Sequence, residues 1–345
     1  MSQPLVGLEI TPAQLKLVEL KQKGKALSIQ RCGTSNLMPN FLKPSLHSLG
    51  FDAAKSAAEL ANLYEQSGIK QTTLCLTIPS SCARIFFLSF EEISPEKKDM
   101  HELIRWRIGK DLPSGGPSLA ISYQVTGENS EGGYSVMAVV TSNKLVAECN
   151  ALAGAVHKKV VRLELDFLSS YNFFEERLRS LSDYLFVYSG YSSTSLLFFQ
   201  QGRPVFHHRL ELGLSDYLAS IARLKQISLA HARQLSERET FFVASQAQTS
   251  PDSLKNFSLI KEVNERLFKQ IYDSMRYFSN LKPRHKLDQV LLCGEGLAWR
   301  NLPEFAATFL EADCQWLCAG LKDKSGANQN ELTAALGSII GGLTE

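Results

Sequence analysis

The feature that most constrains the fold of this sequence is a pattern of three short strands and two polar turns that occurs twice. The first copy occupies residues 5–30 and the second residues 184–209, about 180 residues further along the chain. When Glu9 is aligned with Tyr188, the turns of the two copies coincide to within one residue. The repeat predicts two α/β halves that face each other across a cleft. Small and hydroxylic turn residues at such a cleft expose backbone N–H groups that can bind phosphate oxygens.

Length and charge exclude several classes of protein. A chain of 345 residues predicts about two domains, at roughly 150 residues per domain. Its 37 Lys and Arg residues against 35 Asp and Glu residues argue against a dedicated DNA- or RNA-binding protein, because such proteins concentrate basic residues. No run approaches the ~18 apolar residues of a membrane span, and Glu9 interrupts the N-terminal apolar run. We therefore expect neither a transmembrane segment nor a signal peptide.

The seven cysteines are scattered and form no Cys-x-x-Cys motif, which predicts reduced and mostly buried thiols in a cytosolic protein. Cys314 and Cys318 have no histidines near them in the sequence, so we expect no metal site there. The chain also lacks the Ser–His–Asp signature and the nucleophile elbow of hydrolases. The sequence therefore indicates no catalytic residue.

Between the two copies, the sequence predicts a helix over residues 52–67, which Gly68 ends, and a strand over 72–78. A strand–helix–strand–strand–helix pattern follows and indicates an inserted subdomain, residues 82–157. Its elements are predicted at 84–90, 94–112, 119–125, 134–140 and 143–156, with Ser94 and Pro95 starting the first helix and Pro113 ending it.

The remaining residues complete the two predicted halves. A strand at 160–166 and a helix at 167–181 precede the second copy, and helices at 214–224, 228–237 and 260–280, a strand at 289–293 and a helix at 331–343 follow it. The first half is predicted to comprise residues 1–81, 158–183 and 331–345, and the second half residues 184–330 with a helical subdomain at about 213–286. The last helix lacks the basic face of a membrane-targeting helix, so we expect it in the core.

Four segments of the chain, residues 7–20, 103–113, 184–199 and 291–306, resemble in sequence, order and spacing the PilM proteins of type IV pilus assembly. This family belongs to the actin-like ATPase superfamily and is related to the cell-division protein FtsA. The resemblance implies an α/β, actin-like (ribonuclease H-like duplicated) fold with nucleotide between the halves, and an insert of the type that PilM shares with FtsA. It also implies a cytoplasmic protein, recruited to the inner membrane by the N-terminal tail of the membrane protein PilN.

The first phosphate loop of that family reads Asp or Glu, any residue, Gly, a run of serines, and Lys. Glu9 and Lys16 match the charged positions, whereas Thr11 replaces the glycine and Pro-Ala-Gln at 12–14 replaces the serines. Proline has no N–H and alanine has no hydroxyl, so the resemblance implies that this loop has lost much of its phosphate-binding chemistry. The alternative interpretation is that Glu9 and Lys16 form only a solvated ion pair on a hairpin.

The second phosphate loop of the family carries an aspartate that holds the magnesium shell. Tyr188 occupies that position here, and a phenol with a pKa near ~10 is neutral and a poor magnesium ligand. The small and hydroxylic residues of this loop are kept, and they either contact phosphate or form an ordinary turn. They are Gly190, Ser192, Ser193 and Thr194.

The adenosine side departs from the family as well. Arg233 and Ser236 stand where the family often has Glu and Lys on a helix, and Gly294-Glu295-Gly296 stands for three glycines. Glu295 brings a negative charge close to an anionic ligand. The resemblance therefore implies a degenerate nucleotide site, at which binding of ATP with Mg²⁺ is weakened and hydrolysis is not expected. Its residues are Glu9, Thr11, Lys16, Gly190, Ser192, Ser193, Thr194, Gly294, Glu295 and Gly296.

Arg105, Trp106 and Arg107 lie on the predicted helix of the insert. The tryptophan either anchors a protein partner or packs against the sheet of the insert. We expect an adaptor of a type IV pilus, or of a related secretion or competence machine, that binds a PilN-like tail and other platform proteins but no nucleic acid. The alternatives are a nucleotide-switched protein of the same machine, an FtsA-like division protein and, more remotely, a sugar-kinase-type enzyme.

Overall fold

The computed structural model describes residues 5–24, 26–35, 38, 41–94, 96–109, 118–128, 132–243, 250–281, 287, 289–323 and 329–341. The strands in these ranges are β1 (Leu5–Ile10), β2 (Leu15–Lys23), β3 (Ala26–Thr34), β4 (Thr73–Ile78), β5 (Arg84–Phe90), β6 (Leu119–Glu128), β7 (Tyr134–Ser142), β8 (Lys159–Leu165), β9 (Tyr184–Ser189), β10 (Thr194–Gln200), β11 (Arg203–Leu210), β12 (Gln289–Cys293), β13 (Asp313–Trp316) and β14 (Lys322–Asp323). The helices are α1 (Ala53–Ser67), α2 (Lys97–Gly109), α3 (Asn143–Ala155), α4 (Asp166–Leu178), α5 (Leu214–Lys225), α6 (Leu229–Arg238), α7 (Pro251–Leu281), α8 (Leu302–Leu310) and α9 (Thr333–Gly341).

Two of the sheets share one topology. In the first sheet β1, β2 and β3 form an antiparallel meander, β4 runs parallel to β1, and β8 runs parallel to β4. The second sheet repeats this arrangement, with β9, β10 and β11 as the meander, β12 parallel to β9 and β13 parallel to β12. We call the first sheet with α1, α4 and α9 the first half, and the second sheet with α5 to α8 the second half.

The two meanders also agree in register. Glu9 is paired with Lys16 between β1 and β2, and Tyr188 is paired with Ser195 between β9 and β10. A bulge follows at the same later position in both meanders, in β2 and in β10. The expected duplicated α/β fold is thus confirmed, and the alignment of Glu9 with Tyr188 is the alignment that the ladders show.

Side chains alternate across the first sheet. Val6 and Leu8 of β1 belong to the core that includes α1, whereas Gly7 faces α9. A Cβ on Gly7 would lie 2.0 Å from the carbonyl oxygen of Ala335, so glycine is what lets α9 approach the sheet this closely. Nearly all of α9 is buried between the sheet and α4. The last helix therefore belongs to the core, as its lack of a basic face predicts.

One apolar core is shared by both halves. On β9, Phe186 and Tyr188 join the core of the first half, whereas Leu185 and Val187 point to the other face, where α5 and α7 lie. Helix α4 lies between the sheets, and its Tyr171 also packs against the second sheet. The halves are therefore held together by extensive apolar contact behind the cleft.

The insert is a third, antiparallel sheet in the order β5–β7–β6. Helix α2 covers one face of it through Met100, Ile104 and Ile108. Helix α3 joins the insert to the first half, because its buried side chains belong to the core of that half. The guanidinium of Arg203 on β11 donates a hydrogen bond to the carbonyl oxygen of Glu128 on β6. The insert therefore contacts both halves.

Several predicted helix boundaries differ from the structure. Helix α2 begins at Lys97, and its first hydrogen bond runs from the Met100 N–H to the Glu96 carbonyl oxygen. The Ser94 hydroxyl accepts the N–H of Glu96 in a turn ahead of the helix. Helix α7 begins at Pro251 instead of residue 260, and the Ser250 hydroxyl caps it by accepting the N–H of Ser253. The last helix begins at Thr333, after a short 3-10 turn. The proposed helix-ending residues Leu112 and Pro113, and Pro95, lie outside the described residues.

Residues 302–323 form three elements that the sequence did not predict: α8 and β13 in the second half, and β14. Strand β14 pairs with β3, so Lys322 and Asp323 lie in the first sheet. The predicted division between the halves at residue 330 is therefore wrong, because the chain returns to the first half before β14. The other domain boundaries stay predictions.

Candidate functional site

Two loops with equivalent positions in the two halves face each other across a cleft. The first loop, residues 11–14, joins β1 to β2, and the second loop, residues 190–193, joins β9 to β10. The cavity between them has a volume of about 10 Å³, room for about one water molecule. Five of the residues predicted for the nucleotide site line this cavity: Glu9, Thr11, Gly190, Ser192 and Ser193. Other lining residues, such as Pro79 and Asp166, were not predicted. The lining residues are Glu9, Ile10, Thr11, Pro12, Pro79, Asp166, Tyr188, Gly190, Tyr191, Ser192 and Ser193.

The first loop is closed by its own threonine. The Thr11 hydroxyl accepts hydrogen bonds from the N–H groups of Ala13 at 3.3 Å and Gln14 at 2.9 Å. The N–H of Thr11 donates to the Gln14 carbonyl oxygen at 2.9 Å, and Pro12 has no N–H. All four residues of this loop are described, and none of them offers a backbone donor to a ligand.

The second loop differs from the first in its hydrogen bonding. The N–H of Gly190 donates to the Ser193 carbonyl oxygen at 2.9 Å. The Thr194 hydroxyl is buried and lies 2.8 Å from the Ser189 hydroxyl, so it fixes the strand end behind the loop. Among the described residues, no acceptor engages the N–H of Ser192. The second loop therefore keeps a donor of the kind that the first loop lacks.

Lys16 stands at the centre of a buried ion network. Its Nζ lies 3.0 Å from Glu295 Oε2 and 3.6 Å from Glu9 Oε1, and it donates to the Glu331 carbonyl oxygen at 3.1 Å. The interpretation of Glu9 and Lys16 as a solvated pair is wrong, because both residues are buried. Burial lowers the pKa of Lys16, but the carboxylates of Glu295, Glu9 and Glu331 outweigh this effect and raise it. The ammonium group therefore stays charged.

Arg233 on α6 extends the network. Its guanidinium lies 2.8 Å from Glu331 Oε1 and 3.6 Å from Glu295 Oε2, and its Nε donates to Glu237 Oε1 at 2.8 Å. The Ser236 hydroxyl donates to the backbone carbonyl of Arg233 and takes no part in the network. Arg233 is thus a cation that is paired with carboxylates of both halves.

Gly294 and Gly296 allow close packing of the two strand ends. Gly294 has φ of 94°, and a Cβ there would lie 2.4 Å from the Ser189 carbonyl oxygen. A Cβ on Gly296 would lie 2.3 Å from Ser189 Oγ. Because both positions lack a side chain, the turn after β12 can cross the end of β9, and this brings Glu295 against Lys16. Packing alone accounts for both glycines.

Tyr188 and Glu9 meet across the cleft. The Tyr188 hydroxyl donates to Glu9 Oε1 at 3.4 Å, and burial raises its pKa well above the usual value. Burial also raises the pKa of Glu9 to about 7, although Lys16 opposes that change. Among the described residues, nothing hydrogen-bonds to Glu9 Oε2. Glu9 is therefore only partly ionised at neutral pH.

Asp166 is a site residue that sequence reasoning missed. It begins α4 directly after β8, lines the cavity, and accepts the N–H of Phe167 at 2.8 Å. Burial raises its pKa to about 8, and the proximity of Glu9 adds to the effect. The signal that could have revealed it is an acid that directly follows a strand, because loops at the carboxyl ends of parallel strands form the binding sites of α/β proteins.

The residues expected to bind a partner do not line this cavity and lie on the exposed face of α2. Trp106 is 62% exposed, and Arg105, Arg107 and Leu103 are exposed beside it. The interpretation in which Trp106 packs against the sheet of the insert is wrong, because other residues of α2 occupy that face. We call Leu103, Arg105, Trp106 and Arg107 the α2 surface.

Comparison with known proteins shows the fold. No protein-family model matches the sequence, and no curated protein matches it. A chain of the PilM-PilN type IV pilus biogenesis complex matches with a TM-score of 0.81 at 19% identity, over 98% of both chains. The chain has a PilM-like, actin-like fold. The fold expected from the resemblance to PilM is thereby confirmed.

Two further solved structures, both of actin-like proteins, are also similar in fold to this chain. The ethanolamine utilization protein EutJ from Carboxydothermus hydrogenoformans has a TM-score of 0.55 at 12% identity and covers 99% of this chain and 91% of its own. MreB5 of Spiroplasma citri bound to AMPPNP has a TM-score of 0.55 at 9% identity and covers 100% and 97%. Within the described residues of the PilM-like chain, none of the helices has the length and apolar character needed to cross a bilayer.

Proposed function

We propose that this protein is a PilM-like cytoplasmic adaptor of a type IV pilus machine, or of a related secretion or competence machine. The observation that carries the proposal is the similarity in fold to a chain of the PilM-PilN complex over 98% of both chains. In this role the protein binds the N-terminal cytoplasmic tail of a PilN-like membrane protein. That tail recruits it to the inner face of the inner membrane, where other platform proteins join it.

We place the tail in the groove between the first half and the insert. Strand β5 ends the third sheet, and within the described residues its one strand partner is β7. Its half-buried Ile85 and Phe87 pack against the core of the first half, so this edge lies beside that half. An open strand edge with apolar side chains next to it suits an extended peptide, which gains backbone hydrogen bonds and side-chain pockets together. The exposed α2 surface offers a second contact.

We also propose that the adaptor works without a bound nucleotide. Mg²⁺-ATP does not fit the cleft residues, because the first loop uses its own donors, Lys16 is taken by Glu295, and the cavity holds about one water molecule. The carboxyl groups of Glu9 and Asp166 line the cavity and supply no positive charge that could bind phosphates. Hydrolysis is accordingly no part of the proposed role.

Binding of the tail tests the adaptor role directly. A fluorescently labelled peptide with the cytoplasmic N-terminal sequence of the PilN-like protein from the same organism is titrated with the full-length protein. We expect a Kd of about 50 µM or tighter, about 6 kcal/mol of binding free energy. A scrambled peptide is the control. Absence of binding at these concentrations, or equal binding of the scrambled peptide, contradicts the proposal.

A nucleotide-switched protein is the second candidate, and the unengaged N–H of Ser192 in the second loop favours it. A ligand at 100 times its Kd adds about 2.7 kcal/mol to the free energy of unfolding. For a chain of this length that amount raises the melting temperature by a degree or more. A rise of this size with millimolar Mg²⁺-ATP, absent with Mg²⁺ alone, would favour this candidate over the nucleotide-free adaptor.

A further inference from the structure

The ion network joins the halves in a reciprocal way. The first half supplies the cation Lys16 and the carboxylate Glu331, and the second half supplies the cation Arg233 and the carboxylate Glu295. Lys16 Nζ reaches Glu295 Oε2 at 3.0 Å, and Arg233 Nη2 reaches Glu331 Oε1 at 2.8 Å. Each cation is thus paired with a carboxylate of the opposite half. We propose that these four residues form a clasp that holds the cleft closed without any ligand.

The position of the clasp supports this role. The chain passes between the halves at residues 179–183 and again at 317–321, and neither segment contributes a residue to the clasp. The shared apolar core and α4 join the halves behind the cleft. The clasp links the halves at the cleft itself, so its loss frees the cleft while the apolar contact behind it persists.

The environment of the clasp makes its charges interdependent. The side chains of Lys16 and Glu295 are each 1% exposed, and that of Arg233 is 13% exposed. Arg233 also approaches Glu295, and Lys16 approaches Glu9 and the Glu331 carbonyl. Salt screens buried charges poorly, and a buried charge that loses its partner is strongly unfavourable. Neutralising Glu295, which both cations approach, should therefore open the clasp.

This inference goes beyond the adaptor role, because it concerns only the two halves and needs no partner. The test is hydrogen–deuterium exchange of the full chain, followed by mass spectrometry, for wild type, Glu295→Gln and Glu237→Gln. Glu237 is the matched control, because it pairs with Arg233 within α6 and so within one half. We expect Glu295→Gln to accelerate exchange at least tenfold in peptides that cover the two loops and the start of α9. Exchange in β5 and β7 of the insert should stay unchanged, and Glu237→Gln should match wild type.

Two results would overturn the clasp: Glu295→Gln exchanging like wild type, or Glu237→Gln accelerating the same peptides equally. If Glu295→Gln unfolds as a whole, exchange rises in β5 and β7 too, and Arg233→Gln then decides. This variant removes the partly exposed cation and its links to Glu295 and Glu331. Faster exchange confined to the cleft peptides supports the clasp, and exchange identical to wild type refutes it. Tail-peptide binding is a separate assay, so failure of the clasp and failure of the adaptor role are distinguishable.

Discussion

Lys16 Nζ and Glu295 Oε2 lie 3.0 Å apart, one on a strand of the first half and the other on the turn that follows β12 of the second half. Both side chains are buried, so a carboxylate of the same chain neutralises the Lys16 ammonium group inside the cleft. We therefore expect the stability of the protein to depend on this pair.

Replacing Lys16 with methionine tests how much this pair contributes. The substitution removes the nearest cation of Glu295 and of Glu9 and leaves Glu295 only Arg233 at 3.6 Å, so we expect the free energy of unfolding to fall by about 3 kcal/mol, the lower end for a broken buried pair. Urea unfolding at pH 7.5 measures it. Lys144→Met is the control, because Lys144 pairs with Glu148 on the surface at 3.8 Å and should cost under about 1 kcal/mol. A loss below about 1 kcal/mol for Lys16→Met would show that the network contributes little.

Thr11→Val tests the closed first loop. Valine keeps the shape of threonine but removes the hydroxyl that accepts the N–H groups of Ala13 and Gln14. We expect a loss of about 1–3 kcal/mol, because buried donors are left without partners. Faster amide exchange at Ala13 and Gln14 should accompany it. Thr11→Ser keeps the hydroxyl and should behave like wild type; equal effects of both substitutions would contradict the hydrogen-bonding scheme.

Stability should fall as the pH rises through neutrality because of Asp166. Burial raises its folded-state pKa to about 8 from an ordinary 3.8, so the folded state binds the proton more tightly. The stabilisation is complete below about pH 4 and is lost as the pH rises through 8. Between pH 6.5 and 7.5, wild type should lose about 1 kcal/mol more than Asp166→Asn, which does not titrate. The free energy of unfolding is measured by urea unfolding at each pH. If it changes equally with pH in wild type and Asp166→Asn, Asp166 is ionised in the folded protein.

The free energy of unfolding should also depend on pH through Glu9, in a window that ends at a lower pH than that of Asp166. Its pKa is raised by burial to about 7 from an ordinary 4.5, so its stabilisation disappears between about pH 4.5 and 7. Between about pH 4.5 and 7 both carboxyl groups contribute, so Glu9→Gln should roughly halve the fall in the free energy of unfolding there. It should also lower the pKa of Asp166, because Glu9 helps to raise it. Urea unfolding of the single variants and the double variant separates the two carboxyl groups. A flat wild-type profile over both windows would contradict the raised pKa values.

Gly337→Ala tests the packing of α9 against α4. A Cβ at Gly337 would lie 1.6 Å from the carbonyl oxygen of Ser169, which a rigid helix pair cannot accommodate. We expect a loss at or above the upper end of the 1–3 kcal/mol range typical of overpacking. Gly154→Ala in the exposed part of α3 meets nothing within 4 Å and should instead stabilise by about 0.5–1 kcal/mol. Thermal unfolding of both variants gives the comparison.

Trp106→Ser tests the α2 surface. Trp106 is 62% exposed, so its loss should change the free energy of unfolding by less than about 0.5 kcal/mol. We expect binding of the tail peptide to weaken at least tenfold, because buried aromatic anchors dominate interface energies. Tyr277→Ser on α7, 54% exposed in the second half, is the matched control. Unchanged binding by Trp106→Ser would restrict the interface to the groove beside β5.

The repeat made much of the fold predictable. Polar turns between apolar runs marked both meanders, and aligning Glu9 with Tyr188 anticipated the paired registers. Short strands, and helices whose start depends on a capping residue, were harder to predict from the sequence. Strand β14 has two residues and no periodicity to detect, and the start of α7 depends on the Ser250 cap preceding a polar turn of helix. Local patterns specify elements well only where they are long enough to repeat.

The chemistry of the cleft was less predictable than its location. Glu9, Thr11 and Gly190 were placed at the cleft by the repeat and the resemblance, and the structure brings them together. The partners of Lys16 and Arg233 come from distant parts of the chain, and no spacing rule pairs them. The exposure of Trp106 could have been predicted from helical spacing, because at about 100° per residue Trp106 lies opposite the face of Met100, Ile104 and Ile108 that covers the sheet.

The insert is attached to the molecule on two sides. Helix α3 is embedded in the core of the first half, and Arg203 of the second half bonds to the Glu128 carbonyl at the end of β6. A displacement of the insert would therefore act on both halves at once, on the first through the apolar packing of α3 and on the second through the Arg203 hydrogen bond.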